Sequence, residues 1–350
     1  MSHALLAVAA WTLLGGCAGL HENPYYDPAK PHHTPTGFRN TDPAAQKIEG
    51  FWRWQWERRV AGLPKPSGPA YRDWRVAPDL AVLRAPSANP SVTWIGHATL
   101  LVRLGGLNVL TDPHFSERAS PVSFAGPKRH HPPGVALEDL PEIHVVVISH
   151  SHYDHLDVDS VRRLHARYGD TLRFLVPLGL KPWFAELGID SVSEFDWWEH
   201  VDLNGVRFTL TPAQHWSARS LFDRNQTLWG GWAIRAPEFN LLFIGDTGYS
   251  QDFAEIGRRL GPFDLAAIPI GAYAPRWFMR MQHVDPVEAV RIHQDLGARQ
   301  SLGVHWGTFE MSDESLDEPP RELAVARRAA GLADEDFFVL KVGETRRFRE

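Results

Sequence analysis

The chain has 350 residues, 43% hydrophobic and 22% charged, a composition that supports a sizeable core in one large domain or two small ones. Its formal charge of −6 excludes the basic footprint of a protein built around nucleic acid, and its single cysteine, Cys17, excludes a disulfide within the chain. The 18 histidines point toward metal chemistry and the 14 tryptophans toward an apolar or interfacial surface, although ordinary core and surface positions account for many of both.

Residues 4–14 are apolar and uncharged, fit the central region of a secretory signal, and are too short to span a bilayer. Leu14-Gly15-Gly16-Cys17 follows and resembles a bacterial lipobox, in which the cysteine becomes the lipidated first residue; residues 1–4 carry no Lys or Arg, so the charged flank is weak. The expectation is a lipoprotein signal peptide over 1–16. Ala18 after the cysteine resembles an outer-membrane sorting signal, so the mature chain is expected on the bacterial outer membrane, lipid-anchored and facing the periplasm. Later stretches fall short of the ~20 apolar residues of a membrane span.

Residues 17–90 are expected to form an N-terminal linker and a Trp-rich segment. Residues 18–45 are rich in Pro, His, Asn and Asp and read as an extended linker. In Phe51 to Arg59 aromatics alternate with polar residues over too short a stretch to settle helix against strand. Trp52, Trp54 and Trp56 read equally as an interfacial patch or as core, and Trp197-Trp198 reads as core.

From Ser91 the pattern changes, and residues 91–350 are expected to form the catalytic domain. Strands are predicted at 92–95, 99–102, 107–110, 143–148, 208–210, 232–234, 241–244 and 265–268, with Gly105-Gly106 as a hairpin turn. Asp157 caps a predicted helix running to Tyr168 and closed by Gly169. Asp285-Pro286-Val287-Glu288 starts another that Gly297 closes. Paired strands followed by alternating strands and helices give an α/β layered fold with two sheets inside and helices outside.

The chemistry concentrates after the strand at 143–148. Ser149-His150-Ser151-His152-Tyr153-Asp154-His155 places four candidate ligands between a strand end and a helix start. A lone His-x-His is weak evidence, but His215, Asp246 and His305 also follow strand-like runs, so all seven can converge on one sheet edge. Seven ligands exceed one tetrahedral ion and suit two metals with a shared carboxylate. Imidazole and carboxylate donors suit Zn, with Mn or Fe also acceptable.

With its later His, Asp and His, the His-x-His-x-Asp-His run resembles the metallo-β-lactamase superfamily. That resemblance implies an αβ/βα four-layer sandwich and assigns His150, His152 and His215 to one metal. Asp154, His155 and His305 go to a second, with Asp246 bridging and a hydroxide as nucleophile. Longer strings are similar to the N-acyl-phosphatidylethanolamine-hydrolysing phospholipase D family. They are Trp94 to Thr99, Leu110 to Pro113, Thr211 to Trp216, Gly261 to Ala274, Gln282 to Pro286, Val304 to Phe309 and Asp334 to Lys341. The lipobox is not part of that pattern. The resemblance implies a phosphodiesterase acting on a membrane phospholipid, N-acyl-phosphatidylethanolamine in particular, with Asp154, Asp246 and His283 as catalytic candidates. His283 would donate a proton or bind phosphate; its alternative is a part in capping the helix at Pro286. Asp112 reads either as an acceptor orienting a metal-bound histidine or as a turn-former. His97 reads as a ligand support or a structural histidine, and Ile270 to Tyr273 as a loop near the site. The partners expected are the phospholipid and, through the anchor, the membrane surface, with a homodimer admitted. The rival readings are hydrolysis of another ester, lactone or phosphodiester on the same scaffold, and a non-catalytic metal-binding surface lipoprotein.

Overall fold

The computed structural model describes residues 22–46, 49–85 and 89–348; the expected signal peptide, Cys17 and Ala18 lie outside them. The described chain opens with a small hairpin, β1 (His33–Thr34) and β2 (Gly37–Phe38), followed by helices α1 (Phe51–Ala61) and α2 (Leu80–Arg84). A first run of strands follows: β3 (Ser91–Gly96), β4 (Thr99–Leu104), β5 (Leu107–Thr111), β6 (Val145–Val147), β7 (Arg173–Pro177) and β8 (Val192–Phe195), with α3 (Val158–Tyr168) and α4 (Lys181–Glu186) between its later members. A second run comprises β9 (His200–Leu203), β10 (Val206–Thr211), β11 (Gly231–Arg235), β12 (Asn240–Phe243), β13 (Leu265–Pro269), β14 (Gln300–Val304) and β15 (Phe337–Phe338). Between its later strands lie α5 (Asp252–Leu260), α6 (Arg276–Met279), α7 (Pro286–Leu296) and α8 (Glu318–Ala329). The last strand, β16 (Thr345–Arg347), returns to pair with β3.

The result is two seven-stranded mixed sheets, ordered β16-β3-β4-β5-β6-β7-β8 and β15-β14-β13-β12-β11-β10-β9. Each begins as an antiparallel meander and continues with parallel strands joined by outer helices. Side-chain alternation makes the layers. Leu100, Val102, Val109, Val145, Val147 and Leu175 join the core between the sheets, with Phe208, Leu210, Trp232 and Ile234 from the second sheet. The intervening Leu101, Leu110, Val146 and Phe174 join a separate core with Leu164 of α3 and Phe184 of α4. A period of two along buried strands thus supplies both faces, giving the αβ/βα sandwich.

The predicted helix signals are realised. Asp157 accepts from Ser160 N and Asp285 from Glu288 N, while Gly169 and Gly297 close their helices. The strand expected over 143–148 is confined to Val145–Val147. The Trp-rich segment is a helix, with Trp54 buried and stacked on Phe278 at 4.8 Å, and with Trp52 and Trp56 exposed. Trp197 lies in the core, and Trp198 packs against it partly buried.

The stretch read as an extended linker departs from expectation. Residues 22–40 pack against the end of β8 and the loop after β10, with Phe38 in the main core and His32, His33 and Asn40 buried. The cause is Asp196, which follows β8. Its carboxylate takes His32 Nε2 at 2.6 Å, His33 Nε2 at 2.9 Å and Lys30 Nζ at 2.5 Å. Polar residues that look solvent-seeking in isolation are satisfied here by one buried acid.

Candidate metal centre

The ligand-bearing loops leave the strand ends on one edge of the sandwich. His150 to His155 follow β6, His215 follows β10, Asp246 follows β12 and His305 follows β14. All seven predicted ligand residues come together there. His150 Nε2 lies 2.8 Å from His152 Nδ1, which lies 3.2 Å from His215 Nε2. His155 Nε2 is 3.1 Å from Asp154 Oδ2 and 3.2 Å from Asp246 Oδ2, and His305 Nε2 is 3.4 Å from Asp154 Oδ2 and 3.1 Å from Asp246 Oδ1. Asp246 Oδ2 also reaches to 3.8 Å from His215 Nε2, so it faces both groups.

Metal fits these donors. Two ligands on a tetrahedral ion with bonds of 2.0–2.1 Å sit about 3.3 Å apart, which is close to the spacing within each group. His155 Nε2 and Asp246 Oδ1 are buried without a hydrogen bond of proper geometry, as expected for donors whose partner is a cation. The three-histidine group and the group of Asp154, His155 and His305, joined by Asp246, provide two adjoining positions.

Neighbouring residues set the rings. Asp112, after β5, is inaccessible to solvent; Oδ1 accepts Ser149 N at 2.7 Å, and Oδ2 accepts Ser149 Oγ at 2.5 Å and His155 Nδ1 at 2.6 Å. Of its two readings, the orienting one matches this geometry. His155 then carries its proton on Nδ1 and offers the Nε2 lone pair inward. Ser149 Oγ also meets His150 Nδ1 at 2.9 Å, and the Gln282 carbonyl accepts from His215 Nδ1 at 3.0 Å. His97, in the left-handed turn between β3 and β4, is buried with Nε2 2.9 Å from Asp154 Oδ2. Gly271 of the 270–273 loop approaches the His305 carbonyl so closely that a Cβ there would lie 2.3 Å from it.

His283 stands at the rim. Its Nδ1 lies 3.8 Å from Asp246 Oδ2 and makes no hydrogen bond, and its ring is edge-on to His215 at 5.3 Å. Asp285 caps the following helix, so His283 is left facing the site. Sequence reasoning missed Ser149, Asn40, Gln282 and Tyr71. Of these Ser149 and Gln282 carried a local signal, their adjacency to His150 and His283.

Burial drives His150 and His215 well below the ordinary imidazole value, and neighbouring imidazoles add to this. It brings His152 and His283 down to about 4 and His97 to about 3. For His155 and His305 burial is outweighed by Asp246 and Asp154, which lift His155 well above its usual value and His305 up to about 9. Asp154 and Asp246, which burial alone would raise, are held well below the usual carboxylate range, chiefly by His155. One group is thus a neutral imidazole trio. The other pairs two ionised carboxylates with imidazoles that favour the protonated form, and a cation would take the place of those protons.

Residues 107–306 match the Beta-lactamase superfamily domain. The chain is 47% identical over 266 residues to N-acyl-phosphatidylethanolamine-hydrolyzing phospholipase D 1 of Caenorhabditis elegans, covering 72% of this chain and 74% of that one. It is 36% identical over 249 residues to the mitochondrial N-acyl-phosphatidylethanolamine-hydrolyzing phospholipase D of Saccharomyces cerevisiae, covering 69% of this chain and 53% of the yeast protein. Among solved structures, Igni18, a metallo hydrolase from the archaeon Ignicoccus hospitalis, superposes with a TM-score of 0.58 at 23% identity, over 75% of this chain and all of that one, and shares the fold. With its sandwich, its edge-placed histidines and acids and these relatives, the chain belongs to the metallo-β-lactamase superfamily and is a metal-dependent hydrolase.

Proposed function

We propose that this hydrolase is a dinuclear phosphodiesterase that cleaves N-acyl-phosphatidylethanolamine in a membrane, releasing N-acyl ethanolamine and phosphatidic acid. The observation that carries the reading is the shared Asp246, with a neutral trio on one side, an acidic pair on the other and the free Nδ1 of His283 over both. The names of the worm and yeast relatives support the lipid.

Two divalent ions, most suitably zinc, would supply Lewis acidity toward the phosphate and lower the pKa of water at the site. The residues do the rest. Asp112, Ser149 and Gln282 hold the ligand rings in one tautomer. The hydroxide oxygen of water bonds to phosphorus, the bond from phosphorus to the ethanolamine oxygen breaks, and the proton goes to that leaving oxygen. His283 is neutral near pH 7 and offers one N–H to the phosphate or to the leaving oxygen.

Access for a bilayer lipid requires an apolar surface near the site. Trp52 and Trp56 are 81% and 69% exposed on α1, whose Trp54 packs on α6, a few residues before His283. Leu221 and Phe222 are 92% and 88% exposed in the loop after His215 and Trp216. Trp side chains of this kind favour the membrane–water boundary. A lipid anchor on Cys17 would hold this surface against the bilayer on which the substrate resides.

The test compares wild type with His283→Asn on N-acyl-phosphatidylethanolamine vesicles and on a water-soluble lactone, with metal content measured in both. Lipid cleavage by the wild type that falls about 10²–10⁴-fold in the variant, at constant metal, is expected, the range for loss of a proton-donating side chain. Lactone hydrolysis without lipid cleavage would show that the scaffold serves a different ester.

A further inference from the structure

The matched superfamily domain starts at residue 107, yet loops that carry ligands lean on residues well before it. Asn40 is 3% exposed, and its Oδ1 accepts the backbone N–H of His215 at 3.0 Å and the indole N–H of Trp229 at 3.1 Å. It stands two residues beyond β2, where Phe38 N donates to the Asn225 carbonyl at 2.8 Å and Gly37 lies so near that a Cβ would sit 2.1 Å from that same oxygen. Upstream, Asp196 clamps Lys30, His32 and His33. Asn40 is therefore delivered by a fixed segment, and it holds the main chain of a ligand whose ring is fixed separately by the Gln282 carbonyl.

A second tie meets the other group. The Tyr71 hydroxyl donates to the Gly307 carbonyl at 2.5 Å, and Trp74 packs edge-on to Trp306 at 5.1 Å. These contacts bracket the turn carrying His305, in which His305 and Gly307 are both left-handed, with φ of 60° and 72°. A left-handed histidine persists only where its surroundings enforce it. His97 O accepts from His305 N inside the turn at 3.0 Å, and Tyr71 holds the turn from outside.

We propose that Asn40 and Tyr71 are positioning residues of the metal centre, Asn40 for the three-histidine position through His215 and Tyr71 for the acidic position through the His305 turn. The N-terminal segment is then a working part of the site. The proposal rests on the ligand assignment above, and the experiment separates the two. Outlying hydrogen-bond partners of metal ligands typically change affinity about 10–100-fold.

The experiment uses the full chain and titrates Zn²⁺ against a chromophoric chelator. His215→Ala and His305→Ala serve as backgrounds in which one position is disabled. If either background still binds two ions as wild type does, the ligand assignment falls and the proposal with it. Asn40→Ala should weaken Zn²⁺ about tenfold in the His305→Ala background and leave it unchanged in the His215→Ala background, while Asn40→Asp, which keeps an acceptor oxygen, restores it. Tyr71→Phe, which keeps the ring, should give the crossed result. Equal weakening in both backgrounds would mean a general loss of structure and would overturn the proposal. Unchanged affinity in both would overturn it as well.

Discussion

Replacing Asp112 by Asn tests how far the centre depends on a group that does not itself face the metal positions. The carboxylate takes three donors, Ser149 N, Ser149 Oγ and His155 Nδ1, at 2.5–2.7 Å. An asparagine whose carbonyl keeps Ser149 N puts its NH2 where Oδ2 stood, facing the other two. Ser149 Oγ can rotate to accept and still receive His150 Nδ1, so the three-histidine position is spared. His155 has no such freedom. To accept at Nδ1 it must move its proton to Nε2, the atom that lies 3.1 Å and 3.2 Å from Asp154 and Asp246, and an Nε2–H cannot ligate a metal. The expected loss is about 10–100-fold in affinity at the acidic position alone, or roughly 1.4–2.7 kcal/mol. Calorimetric Zn²⁺ titration of the apo protein should show one ion bound as in wild type and a second weakened. Two ions bound as in wild type, or equal weakening of both, would refute the tautomer argument.

Asp246→Asn should lower occupancy at both positions, because its carboxylate faces both groups; full occupancy by elemental analysis would remove its bridging role. Asp196→Asn should lower thermal stability at pH 7 by a few kcal/mol, on the order of the effect of breaking a buried ion pair. Although burial opposes it, His32 and Lys30 hold the Asp196 pKa below its ordinary 3.8, so its stabilisation is present above about pH 4 and is lost as pH falls through the folded value. The gap in melting temperature between wild type and Asp196→Asn should therefore narrow on acidification, and a gap that widens below pH 4 would contradict this sign. Cys17→Ser should move the protein out of the membrane fraction and abolish a lipid-sized mass increment, because a lipid anchor needs the thiol; an unchanged membrane fraction and no such increment in wild type would rule out the anchor.

The convergence of the seven candidate ligands was legible because chemistry restricts such donors to a few residue types and the fold puts them at strand ends, where short apolar runs announce them. Helix limits at Asp157, Gly169, Asp285 and Gly297 were legible for the same reason, each resting on one local hydrogen bond or one left-handed residue. Strand β9 was not, since its alternation of polar and apolar residues spans only four positions, too few to stand out as a strand. The segment at 51–59 was ambiguous because spacing by two mimics a strand, whereas α1 buries only Trp54 and is bounded by left-handed Gly50 and Gly62. The residues at 22–40 misled for a deeper reason. Polar composition predicts a loop when polar groups face water, and here their partner, Asp196, lies more than 150 residues along the chain. Asn40 and Tyr71 share that property: hydrogen bonds to partners far along the chain leave no mark in the residues around them.

The two sheets contribute unequally to one centre, and this has a physical consequence. The first supplies the four candidate ligands from His150 to His155, and the second supplies His215, Asp246 and His305, so neither half makes the full donor set alone. Placement then depends on how closely the halves approach at this edge. Gly230 N donates to the Ser149 carbonyl at 3.0 Å, and Trp232 Nε1 to the Ile148 carbonyl at 2.8 Å. Gly245, left-handed and next to Asp246, admits Ser149 so closely that a Cβ would lie 2.5 Å from its side chain. Ser149 is thus the seam: its main chain joins the halves, while its hydroxyl touches Asp112 and His150. Because close-packed interiors transmit strain rather than absorb it, any side chain at position 245 must push apart groups that the metal geometry requires together. The candidate ligands are thus held by packing between the sheets, whereas Leu221 and Phe222, in the loop beyond His215, are exposed.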